Sequence, residues 1–119
     1  MDNLTKRERK LSDLQKRYAW VGAELSAAHA DGKIDSESVR FFITNTQPLL
    51  RDEEDAEPVY FGVAQAYSYI GDPPTHTVAG SVNVSLQFLD QVPCATVVDA
   101  LCADLSILHT RERERFLSR

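Results

Sequence analysis

Leu4, Leu11, Leu14, Tyr18, Val21, Leu25 and Ala28 follow one another at spacings of 7, 3, 4, 3, 4 and 3. A period near 3.5, broken only where Arg7 takes the missing position, predicts one long amphipathic helix over 3–30. No proline interrupts it, and Gly32 stands where a left-handed residue ends a helix. A short second helix is predicted to follow. Asp35 caps it, Ile34 and Val39 staple across the cap, and Val39, Phe42, Ile43 and Thr46 share a face. The same stretch is rich in β-branched and aromatic residues, so 39–46 also reads as a strand. Pro48 ends either element.

Residues 78–88 alternate apolar and polar and read as a strand, and Gly71-Asp72-Pro73-Pro74 before them is a turn. Folding 58–70 back onto 76–88 predicts a long antiparallel hairpin. Val59, Phe61, Val63, Tyr67 and Tyr69 then share an apolar face with Val78, Gly80, Val82, Val84, Leu86 and Phe88, with Gln65 its one polar exception and Tyr67 lying over Gly80. The opposite face is small and polar: Tyr60, Gly62, Ala64, Ala66 and Ser68 beside Ala79, Ser81, Asn83, Ser85 and Gln87. A helix over 58–70 competes, because Val59, Val63, Ala66 and Ile70 also share a helical face. Pro93 opens a last helix over 93–117, striped by Cys94, Val98, Leu101, Leu105 and Leu108. The pattern as a whole is an α+β fold: a long N-terminal amphipathic helix, a short second helix, a long antiparallel β-hairpin and a C-terminal amphipathic helix.

Length and charge narrow the function. A chain of 119 residues fits a single domain, 1–119. The net charge is −5, concentrated at Asp52, Glu53, Glu54, Asp55 and Glu57, while Lys6, Arg7, Arg9, Lys10, Lys16 and Arg17 make the N-terminal stretch basic. An acidic balance opposes nucleic-acid binding by the protein as a whole, because phosphate contacts need cationic surface. No apolar run is long enough to span a membrane, the charged N-terminus leads into no secretory signal, and two cysteines make no disulfide framework. The expected location is cytoplasmic. No G-x-S-x-G, phosphate-binding loop or dinucleotide fingerprint is present. Cys94, Cys102 and His109 fall at intervals of eight and seven, roughly 10–12 Å apart along a helix, too far to share one zinc. No enzyme activity, cofactor or metal is expected.

These features predict a non-enzymatic protein-binding module. A small acidic inhibitor or immunity-type protein, of the kind a phage or mobile element encodes, would block a basic surface of its target with Asp52, Glu53, Glu54, Asp55 and Glu57. One alternative is a small-molecule or nucleotide-binding protein with Tyr60, Asn83, Ser85 and Gln87 around a pocket on the polar hairpin face. Another is a DNA-binding regulator. Leu4-Thr5-Lys6-Arg7-Glu8 resembles the opening of a helix-turn-helix domain of the LuxR type and Ser38-Val39-Arg40 its recognition helix, which implies DNA contact through the basic N-terminal helix. Two long hairpin edges and two helical seams predict a homodimer, joined through hairpin edges or helix stripes.

Overall fold

The N-terminal stripe folds as two helices, α1 (Lys6–Arg17) and α2 (Ala19–Ala30), in a computed structural model that describes residues 6–46, 58–71 and 73–118. The break falls at Tyr18, whose backbone leaves helical geometry at φ −105 and ψ 15. Tyr18 is buried, and its phenol donates to Asp90 Oδ1 at 2.7 Å. Burial, followed by the bond to Asp90, pushes this phenol up from its ordinary range. Val21, Leu25 and Ala28 enter the core, whereas Leu11 and Leu14 on α1 are only half-buried. Gly32 ends α2 as expected, at φ +81, with the Lys33 N–H donating to the Ala28 carbonyl at 3.0 Å.

The expected short second helix is a strand, β1 (Ser38–Asn45). Val39, Ile43 and Thr44 with Phe41 and Phe42 favour extended backbone, and cross-strand pairing with the next strand outweighs the cap at Asp35. The hairpin forms from β2 (Tyr60–Ile70) and β3 (His76–Ser85), turning at Gly71 with φ +112. The three strands make one antiparallel sheet in the order β1-β2-β3. The fold is α+β, with N-terminal helices and a C-terminal helix.

The hairpin register differs from the sequence expectation by one residue. Ala66, not Tyr67, stands opposite Gly80, and Tyr67 stands opposite Ala79. A slip of one exchanges the two faces of β2. Its small residues Gly62, Ala64, Ala66 and Ser68 therefore join Val78, Gly80, Val82 and Val84 beneath the helices. The aromatic residues Phe61, Tyr67 and Tyr69 join Ala79, Ser81 and Asn83 on the other face. The cause is close approach of the last helix, α4 (Cys94–Leu117). A Cβ at Gly80 would lie 2.5 Å from the His109 backbone nitrogen and 2.8 Å from the Leu108 carbonyl carbon. Packing at that distance needs a floor of glycine, alanine and serine, and excludes large rings.

The alternation of 78–88 ends early. Ser85 caps a short helix, α3 (Leu86–Gln91), its Oγ accepting the Phe88 N–H at 3.1 Å. Pro93 then caps α4. Helix α2 lies on β1, and α4 crosses β3 and β2. Leu25, Ala64, Ala66, Val97, Leu101 and Leu105 are the centre of the core between helices and sheet. No helix among the described residues is long and apolar enough to cross a membrane.

Candidate interaction surfaces

Among the described residues the helices all pack on one side of the sheet, and the other side has no helical cover from them. The strands project Ser38, Arg40, Phe42 and Thr44 from β1, Phe61, Val63, Gln65, Tyr67 and Tyr69 from β2, and Thr77, Ala79, Ser81, Asn83 and Ser85 from β3. A polar chain crosses it. The Arg40 guanidinium donates to Gln65 Oε1, and Gln65 Nε2 donates to Ser81 Oγ at 2.9 Å. Arg40 lies 5.1 Å from the Phe42 ring centroid and 6.0 Å from that of Tyr67, and Tyr67 meets Tyr69 edge to face at 6.0 Å. Arg40, Gln65, Tyr67, Tyr69, Thr77 and Ala79 line a shallow hollow here of about 220 Å³. Tyr69 is 52% exposed. Among these side chains Arg40 is the one charge. Glu37, just before β1, uses its carboxylate on the Tyr69 N–H at 2.8 Å. Aromatic rings, one arginine and neutral hydrogen-bonding groups, with no carboxylate among them, match the composition of the desolvated centres of protein interfaces.

The two edges of the sheet differ. Along β3 and α4 the hollows hold the charged residues Asp104, Arg111, Glu112 and Arg115. Between β1 and α2 runs a groove of about 450 Å³, lined by Gln15, Tyr18, Ala19, Gly22, Ala23, Ser26 and Arg40–Ile43. Phe41 faces the helices yet is only half-buried, because the small residues of α2 leave the groove beside it unfilled.

Beneath the sheet lies a polar pair that the sequence did not signal. Ser68 Oγ and His109 Nε2 are 2.8 Å apart, and the Glu37 N–H donates to the same Oγ at 3.1 Å. The other ring nitrogen, Nδ1, has no hydrogen-bond partner among the described residues. Burial pushes the His109 imidazole below its ordinary range; Arg113 adds to this, and Asp35 and Glu37 oppose it. In outline this is a nucleophile and its base. His109 is 0% exposed, however, Ser68 is buried under α4, and nothing orients Nδ1. The pair joins α4 to β2 and offers no route to a substrate.

The residues singled out from the sequence are dispersed. Asp52, Glu53, Glu54, Asp55 and Glu57 lie outside the described residues. Tyr60 is buried on the helix side, with Lys10 5.3 Å from its ring centroid. Asn83 and Ser85 project from the opposite face, Ser85 being spent on the α3 cap, and Gln87 is exposed on α3. These four do not surround a common pocket, because the register puts Tyr60 and Asn83 on opposite sides of the sheet. Ser38-Val39-Arg40 lies in β1 and is no recognition helix. Cys94 is exposed at the start of α4; Cys102 is buried, which pushes its thiol up and away from the reactive thiolate. No group of three or more His, Cys, Asp or Glu that could hold a metal ion occurs among the described residues. Comparison with family models, curated proteins and solved structures gives no match.

Proposed function

We propose that this chain is a non-enzymatic protein-binding module, a homodimer whose helix-free sheet face docks on a partner protein with a basic surface. The observation that carries the reading is the makeup of that face: Phe42, Phe61, Tyr67 and Tyr69 with Arg40, Gln65 and Ser81. In a chain of net charge −5, a sheet face without carboxylates is suited to desolvation, which a charged face resists. Charge supports the choice of partner. Asp52, Glu53, Glu54, Asp55 and Glu57 belong to the connection between β1 and β2, the two strands that supply most of the aromatic rings. Acidic groups on a binding protein steer a basic partner toward it and set the association rate. An inhibitor or immunity-type role in the cytoplasm is the form of this function that size and charge favour.

The test begins with capture of the partner on the immobilised chain. Association rates are then measured across ionic strength for the native chain and for a variant with Asp52, Glu53, Glu54, Asp55 and Glu57 replaced by Ser, Asn or Gln. The variant is expected to associate more slowly and with a flatter salt dependence while folding normally. Equal rates and equal salt slopes would contradict steering by this segment.

A further inference from the structure

We infer that the second copy of the chain docks in the groove between β1 and α2, pairing β1 with its symmetry mate to make one six-stranded sheet. The inference rests on the homodimer reading above and adds the interface.

Backbone hydrogen bonding sets which residues are available. The Thr46 N–H donates to the Val59 carbonyl at 2.9 Å, and these two residues continue the β1–β2 register one position beyond Asn45 and Tyr60. In an antiparallel ladder such bonded positions alternate. Residues 38, 40, 42 and 44 therefore bond to β2, and Val39, Phe41, Ile43 and Asn45 turn their N–H and C=O groups outward. No backbone hydrogen bond among the described residues reaches those outward groups from elsewhere. An eight-residue edge of this kind is a template for another strand unless charge, proline or a bulge blunts it. The β3 edge runs beside Asp104, Arg111, Glu112 and Arg115; among the described residues that line the β1 groove there is no carboxylate and no charge but Arg40.

Twofold symmetry then selects a register. The arrangement that engages every outward residue sets Val39 against the partner's Asn45 and Phe41 against the partner's Ile43, giving about eight new backbone bonds. It sets Arg40 against the partner's Thr44, so the two guanidinium groups are kept apart, and Phe42 against the partner's Phe42. On the helix side the half-buried Phe41 gains cover. The two α2 helices run beside the axis, where Ala19, Gly22, Ala23 and Ser26 permit close approach. On the other side, the two aromatic faces become continuous.

Phe42 and its mate form a pair that exchanges no backbone bonds, with Cα atoms about 4.5 Å apart, a spacing a disulfide spans. The experiment places Phe42→Cys in a chain carrying Cys94→Ser and Cys102→Ala, oxidises it mildly at tens of micromolar, and measures covalent dimer. Ala79→Cys, projecting from the same face on β3, is the control. Sedimentation gives the mass of the native chain and of Ala23→Arg, whose exposed site fills the groove without entering the core. The expected results are a mass twice 13.3 kDa for the native chain, a monomer for Ala23→Arg, and at least tenfold more crosslink from position 42 than from 79. A monomeric native chain overturns this interface and the homodimer reading together. A dimeric native chain with a dimeric Ala23→Arg and no excess crosslink at position 42 overturns the interface alone.

Discussion

His109 is the residue whose environment departs furthest from what its position in the chain implies. From sequence it was the third member of a spacing too wide for zinc; in the fold it is wholly buried against Ser68. Nothing in the local pattern announces this, because the two residues are 41 positions apart and meet only when α4 crosses the sheet. The energetic consequence has a definite sign. The folded state holds the imidazole neutral, with its pKa below the ordinary 6.5, so the unfolded chain takes up the proton more readily. Stability is therefore unaffected by this group above about pH 6.5 and falls as pH drops from there to the lowered folded value. Urea unfolding of the native chain and of His109→Asn from pH 8 to pH 5 checks this. The native chain is expected to lose stability over that range more steeply than the variant; parallel curves would assign the acid sensitivity to other groups.

At the scale of elements, hydrophobic periodicity located β2, β3, α4 and the N-terminal helical stretch, but it read that stretch as one helix without the break at Tyr18 and ran β3 on into α3, while turn chemistry located the bends at Gly32 and Gly71. Two further things escaped it. The segment 38–45 offers a helix cap and strand-forming residues together, and only a neighbouring strand decides between them. The hairpin register escaped because burying the rings looks favourable when the hairpin is considered alone. The floor under α4 must be small, and that requirement belongs to the helix–sheet contact at Gly80. Paired substitutions test the observed register. Ala66→Asp buries a charge beneath α4 and is expected to cost several kcal/mol, on the order of 3–5, and Val82→Asp, half-buried on the same side, about 2. Tyr67→Asp and Ser81→Asp, on the helix-free face, are expected to cost about 1 kcal/mol or less. Chemical denaturation decides: a Tyr67→Asp chain as damaged as Ala66→Asp would restore the register read from the sequence.

Across the whole molecule, one face of the sheet is committed to helices and the other presents rings, arginine and amides. Charge arithmetic legible in the sequence pointed to a binding protein with an acidic segment. It did not reveal the proposed docking face, because assigning Tyr67 and Tyr69 to the core removed them from the surface. The claim that this face binds the partner is tested most directly by equilibrium affinity. The captured partner is titrated against the native chain, against Tyr67→Ser with Tyr69→Ser, and against a control bearing Leu117→Ser, which is 65% exposed at the C-terminal end of α4. Interface aromatics at the centre of a contact are worth about 2 kcal/mol or more each, so the double variant is expected to bind at least a hundredfold more weakly, with Leu117→Ser unchanged. Native affinity in the double variant, with its fold intact by circular dichroism, would contradict the account.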